Sequence, residues 1–436
     1  MKKFVLLLVV LLVTLPFSVF AQDEVVELTM GSWRTEDIEQ WGNILEVFHA
    51  AHPNIRITFE PTLNTEYDAQ ITNALEGGVG PDLITCRPFD RALLNYQLGG
   101  LADISDLPGL ENFSEVALSA WQTDDGSATF CVPMASVIHG YIYNKTLFDE
   151  LGLEEPTTES EFFAVLDALQ AAGETPLGIT TKDAWATAAM GFNSQWPNFC
   201  DGENTRQALL AGEAALTDQC FLDTFASLQR WEPYLPEGHE ALGYADAQQA
   251  FPLGLTAIYP SGSWEIPLFN DLADFELAAF KPYVPDGKEG ECWISDHVDI
   301  AIGMNANTAH PEEARTFLEW LTTQEFAQVF SDNQPGFFSL SNHEVELADP
   351  LAAEFVSWRQ ECGSTIRIFD QFLSRGEPAG NTTMTETIYL LVQGNLTPEE
   401  VASTIQTGLE EWYYTDDAGD ADAGDATEEA TEEADS

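Results

Sequence analysis

Basic residues are scarce in this chain: 16 Lys and Arg stand against 73 Asp and Glu in 436 residues, a formal net charge of −57. Such a field repels nucleic-acid phosphates and anionic lipid surfaces, and it disfavours a polyanionic ligand unless a local basic pocket exists. No nucleic-acid partner is expected. Catalytic motifs are missing as well. There is no Walker phosphate loop, no Gly-x-Gly-x-x-Gly after a strand, no Gly-x-Ser-x-Gly elbow and no His-Glu-x-x-His. Ser261-Gly262-Ser263 follows a strand-like run but lacks the flanking glycine spacing. The seven histidines are scattered; His297 and Asp299 form the closest metal-like pair, and a structural role suits them better. A carboxylate pair for glycoside hydrolysis carries no information among 73 acids, because chance pairs abound. No catalytic residue, no metal site and no cofactor is expected.

Long apolar runs are confined to the first residues, and nothing later approaches the ~18 apolar residues of a membrane span. Met1-Lys2-Lys3, the apolar run 4–13 and the small residues Val19 and Ala21 read as a secretory signal over 1–21, cut after Ala21. An uncleaved anchor is the alternative. No cysteine follows the run, so no lipid anchor is expected, and the chain is placed in the periplasm or the extracellular space. Six cysteines remain: Cys86, Cys131, Cys200, Cys220, Cys292 and Cys362. An even number in an exported chain points to disulfides, and the spacing is too wide for zinc. The local pair Cys200–Cys220 is favoured, which leaves Cys86–Cys131 and Cys292–Cys362. Buried free thiols are the alternative.

What is present suffices for two cores. The chain is longer than one core supports, and 44% of it is hydrophobic, with 11 Trp and 27 Phe. Strand-like runs at 25–30, 55–59 and 81–85 alternate with helical spacing at 35–51 and 67–75, which gives an α/β unit with a mainly parallel sheet. The same logic returns in strands at 141–143, 255–259 and 299–303 and helices at 158–172, 311–321 and 398–412. The helix at 158 opens on a capping pattern, Thr158 with Glu161. The tail 415–436 carries ten acidic and no basic residues and is expected to be disordered.

Four tryptophans stand beside polar residues at strand or loop ends. Trp33-Arg34 follows the first strand, Trp185 lies in a loop-like stretch that also holds Trp196, Trp264-Glu265 follows Ser261-Gly262-Ser263, and Trp293 precedes Ser295-Asp296-His297. Sugars offer an apolar C–H face and a rim of hydroxyls, which flat rings and bidentate polar groups match. Ligands of α/β sheets bind at the carboxyl ends of strands. Core packing is the competing reading for any one of these rings.

Five segments carry a resemblance. They are Leu28-Thr29-Met30-Gly31-Ser32-Trp33 with its helix and His52-Pro53-Asn54; Gly77-Gly78-Val79-Gly80-Pro81-Asp82-Leu83; Val132-Pro133 with Tyr141-Ile142-Tyr143-Asn144-Lys145-Thr146-Leu147-Phe148; Gly254-Leu255-Thr256-Ala257-Ile258 with Ser261-Gly262-Ser263-Trp264; and Ala301-Ile302-Gly303-Met304-Asn305 with Phe317-Leu318-Glu319-Trp320-Leu321. In this order they resemble the extracellular solute-binding proteins of carbohydrate ABC importers, the maltose-binding-like group. The resemblance implies a two-lobed periplasmic-binding-protein-like fold joined by hinge crossings. Lobe one would be 22–133 plus 299–334, and lobe two 134–298 plus 336–414. It implies a carbohydrate ligand, permease subunits in the membrane as partners, and a monomer without enzymatic activity. By position it assigns Trp33, Arg34, Glu36, Arg87 and Asp90 to the ligand from lobe one. His139, Trp185, Trp264, Glu265, Trp293 and, more weakly, Phe337 are assigned from lobe two and the last crossing. The rivals are a cationic solute such as a polyamine, held in a cage of acids and rings, a secreted carbohydrate-active enzyme, and a scaffold acting through its acidic tail.

Overall fold

The computed structural model describes residues 25–414. The expected signal 1–21 and the acidic tail 415–436 lie outside the described residues. Among the described residues there are nine strands: β1 (Val26–Ser32), β2 (Ile55–Pro61), β3 (Leu83–Cys86), β4 (Cys131–Asn144), β5 (Ile258–Gly262), β6 (Leu277–Phe280), β7 (Trp293–Met304), β8 (Phe338–Ser339) and β9 (Gly363–Thr365). They follow the order β2-β1-β3-β7-β4-β5, with β6 and β8 also on β4 and β9 on β7.

The first lobe is built on β2-β1-β3. These pair in parallel because each is followed by a helix that returns the chain across one face. Helix α1 (Ile38–Ala51) buries Trp41, Ile44, Leu45 and Phe48, and Phe48 meets Phe317 edge-on at 5.1 Å between ring centroids. Helix α2 (Asn64–Glu76) and helix α3 (Asp90–Gln97) follow β2 and β3, so their first turns face the carboxyl ends of those strands. The second lobe surrounds the far half of β4, where β5 and β6 both pair antiparallel with it. Among the named strands, parallel pairing is therefore confined to the first lobe and to β7–β9, and the second lobe adds only the isolated parallel bridges Thr158↔Val284 and Leu177↔Ile258. The second core is aromatic: Tyr141 stacks on Phe280 at 5.0 Å and Phe162 on Tyr283 at 4.4 Å.

Two strands belong to both lobes. β4 and β7 pair antiparallel from Cys131↔Gly303 to Ile138↔Asp296, and the register shifts twice between Pro133 and Ser136. Proline lacks the ladder donor, so a break there follows from the sequence. β8 joins the pair opposite Ala135 and Ser136. The three chain crossings thus converge on one short irregular zone.

The expected elements recur with shifted ends. The runs at 141–143 and 299–303 are the middles of much longer strands, and the run at 255–259 becomes β5, three residues later. The stretch that reads as a loop around Trp185 and Trp196 is helical from Ala184 to Cys200, with a π-helical turn at Thr187–Phe192. Trp196 is fully buried there. Its polar neighbours and Pro197 hide the helix in the sequence, because the surrounding core decides the conformation.

Cys200–Cys220 and Cys292–Cys362 are bridged, both in the second lobe. The expected Cys86–Cys131 bridge is absent, and both are buried thiols. The reason is topological. Cys86 lies on β3 opposite Ala301, and Cys131 lies on β4 opposite Gly303, so β7 runs between them. Two strand spacings place the backbones about 9–10 Å apart, beyond the reach of a disulfide. Alkylation of the denatured, unreduced protein is expected to label Cys86 and Cys131 and no other cysteine. A chain without reactive thiols contradicts this arrangement.

Candidate functional site

A cavity of 340 Å³ opens between the lobes at the carboxyl ends of the first-lobe strands. Trp33 and Arg34 reach it because β1 ends at Ser32. The Arg34 guanidinium forks onto Asp37 at 2.7 and 2.9 Å, sits 3.0 Å from Glu36, and crosses to the Trp264 carbonyl at 3.3 Å. Arg87 follows β3. It lies over the Trp33 ring at 4.2 Å and donates to Asp68 of α2 at 2.8 Å and to Asn64 at 3.2 Å. Arg91 of α3 reaches the other oxygen of Asp68 at 2.8 Å.

The second lobe supplies Trp185, Asn193, Tyr244, Trp264, Arg367 and Asp370, among others. Trp264 folds back over its own strand end. A Cβ on Gly262 would collide with the indole, so glycine is required beneath it. The indole donates to the Tyr244 hydroxyl at 3.2 Å, and Trp185 lies against the Tyr244 ring at 4.7 Å. Glu265 accepts from Tyr244 and, at 2.8 Å, from Gln248. Below Trp264, His139 meets the indole edge-on at 5.1 Å and pairs with Ser194 at 3.1 Å.

Seven of the residues expected from the sequence line this cavity: Trp33, Arg34, Glu36, Arg87, Asp90, Trp185 and Trp264. Four do not. His139 and Glu265 are fully buried behind the cavity wall. Phe337 is buried under the Arg34 guanidinium at 4.9 Å, beside Gly336, where a Cβ would strike the Ser263 carbonyl. Trp293 lies at the opposite end of β7, packed on Gly202 and Gly363 next to the Cys292–Cys362 bridge. Its strand starts six residues earlier than the sequence suggests, which carries the ring away from the cleft. The sequence reading missed Asn64, Asp68, Arg91, Asn193, Tyr244, Asp299, Arg367 and Asp370. The scarcity of basic residues in this chain is a signal that applies to Arg91 and Arg367 as much as to Arg34 and Arg87.

Charges in the cavity are set against one another. Asp299 is largely shielded from solvent, which would raise its carboxyl. Its contact with His297 and the charges of Arg367 and Arg87 outweigh that and hold it at about 2. Burial, then Arg367 and His297, keeps the His139 imidazole well below its ordinary value and neutral. Burial raises Asp90 despite its 2.7 Å bond from Arg375, which also grips Asp124 with two bonds. Three lining residues carry buried polar atoms with no partner among the described residues: Asp90 Oδ2, Trp185 Nε1 and Asn193 Oδ1. One donor and two acceptors of this kind suit a ligand that both gives and takes hydrogen bonds.

A family model described as bacterial extracellular solute-binding protein matches residues 29–328. The chain belongs to this family. It is accordingly an exported binding protein and not an enzyme. The multiple sugar-binding protein of Streptococcus mutans serotype c is 23% identical over 306 residues, which span 66% of this chain and 69% of that protein. Among solved structures, the bacterial solute receptor AcbH, described as preferring β-D-galactopyranose, matches with a TM-score of 0.78 at 18% identity, over 89% of this chain and 99% of its own. A sugar transporter from Bacillus licheniformis in complex with stachyose matches with a TM-score of 0.70 at 17% identity, over 88% and 98% of the two chains. At such identity the likeness is one of fold.

Burial lifts Glu265 from its ordinary 4.5 to about 7, although Tyr244, Gln248 and Arg34 pull the other way. A carboxyl raised on folding stabilises the native state fully below its unfolded value, and that contribution is lost as pH rises through about 7. The loss amounts to about 3 kcal/mol. Glu265→Gln, with the Gln248 amide turned to match, is expected to remove this fall. Denaturant midpoints measured from pH 4 to 8 check it, and identical profiles for the two proteins contradict it.

Proposed function

We propose that this chain is the substrate-binding component of an ABC importer and captures an oligosaccharide without net positive charge between its lobes. The observation that carries this reading is the joint lining of one cavity by four rings (Trp33, Trp185, Tyr244, Trp264) and by guanidiniums already paired with carboxylates. Rings present flat apolar faces to sugar C–H groups, and fixed Arg–carboxylate pairs present forked donors and acceptors to vicinal hydroxyls. The names of the streptococcal relative and of several structural neighbours point the same way.

Four arginines line the cavity beside six carboxylates, Glu36, Asp68, Asp90, Asp299, Asp370 and Glu386, so charge alone does not separate a sugar from a polyamine and the binding test below includes both. In this reading, 22–133 with 299–334 and 134–298 with 336–414 are the moving bodies. The irregular zone at Pro133 to Ser136 is the hinge. A ligand held by both lobes favours the closed state only by its differential affinity for it. Permease subunits in the membrane then receive the closed form, and the chain acts as a monomer in the periplasm or outside the cell.

Calorimetry against a panel of neutral oligosaccharides, amino acids and polyamines tests this reading. At least one oligosaccharide is expected to bind, and Trp264→Ala is expected to weaken it by ~1–3 kcal/mol through lost stacking. Binding of a polyamine in place of every sugar, or unaltered affinity in Trp264→Ala, contradicts the assignment.

A further inference from the structure

We propose that a second chamber adjoining the aromatic site is a subsite for a carboxylate-bearing sugar unit, a uronic acid, at one end of the oligosaccharide; the inference rests on the sugar-binding reading given above. The chamber measures 720 Å³ and lies between α2 and α3 on one side and residues 182–185 on the other. It is continuous with the first cavity, since Asn64, Asp68, Arg87, Arg91 and Trp185 line both. A chain of sugar units with one unit on the rings therefore extends directly into it.

Its charge is opposite in sign to that of the rest of the molecule. The lining carries Arg87, Arg91 and Lys182 against Asp68 and Asp183, an excess of one positive charge in a chain of net −57. Asp68 is shared by two guanidiniums, Arg87 and Arg91, each at 2.8 Å, so a single carboxylate answers two cations. Across the chamber, Lys182 forms no ion pair among the described residues. Lys145, Lys281, Arg206, Arg230, Arg315 and Arg359 all find a carboxylate elsewhere in this acidic chain. The neighbouring Asp183 is engaged with the backbone N–H of Tyr244 at 2.7 Å. Guanidiniums from one lobe and an ammonium from the other line the same chamber, a donor set that matches the planar two-oxygen face of a carboxylate. A neutral sugar would leave Lys182 without an ion-pair partner and the two guanidiniums sharing one carboxylate. The surrounding negative field keeps out highly charged polyanions, so the chemistry fits one acidic unit on an otherwise neutral chain.

Calorimetry on the full chain tests this, with oligosaccharides carrying one terminal uronic acid and the same compounds after reduction of the carboxyl to the alcohol. The acid form is expected to bind about tenfold tighter at low salt, the scale of one charge-assisted hydrogen bond. That gap is expected to shrink at high salt, to close in Lys182→Met and to persist in Lys182→Arg, while the reduced form binds all three proteins alike. Lys182 is exposed, and an unchanged melting temperature in Lys182→Met separates its role from one in folding. Equal or tighter binding of the reduced form, or a gap that Lys182→Met leaves intact, overturns the subsite and leaves the sugar-binding reading standing. Failure of every acidic and neutral oligosaccharide to bind overturns both.

Discussion

The pairing of β4 with β7 is the constraint on which the rest depends. Each strand starts in one lobe and ends in the other, so one hydrogen-bonded ladder belongs to both cores. A ladder resists stretching and shear but bends where its register breaks, and the break falls between Pro133 and Ser136. This fixes where the lobes separate. It also fixes what faces the gap: the carboxyl ends of β1 and β3 on one side, and the turn after β5 on the other. The cavity residues converge because these strand ends converge.

A second constraint is electrostatic. Five of the ten arginines of this acidic protein are spent at or near the cleft, and each lies against an acid: Arg34 on Asp37, Arg87 and Arg91 on Asp68, Arg367 near Asp299, Arg375 on Asp90 and Asp124. Pairing keeps the buried charges tolerable and leaves their remaining donors and acceptors aimed in fixed directions. Several of these contacts run from lobe to lobe, as with Arg34 to the Trp264 carbonyl and Arg375 to Asp90. Closing the cleft and completing the polar lining are therefore the same event.

Much of this was legible in the sequence where the signal is local. Helical spacing marks α1 and the helix Pro311–Leu321, and a capping box marks the helix that starts at Glu159. Lobe-one site residues immediately after strands, Trp33, Arg34 and Arg87, were legible for the same reason. Residues placed by long-range packing were not. Tyr244 opens a short helix without apolar periodicity, and Arg367 and Asp370 lie in a segment with no regular pattern. Trp293 and Glu265 carry the right chemistry in the wrong place, because residue type does not reveal the length of β7 or the depth of the wall behind Tyr244. The Cys86–Cys131 pairing failed likewise: spacing along the chain says nothing about the strand that intervenes.

The central claim is that the two lobes turn about the irregular zone of the shared ladder and close on the ligand. Small-angle scattering on the purified chain, with and without a saturating oligosaccharide shown by calorimetry to bind, measures this most directly. The account predicts a smaller radius of gyration in the bound state. An unchanged radius with the ligand demonstrably bound would contradict it.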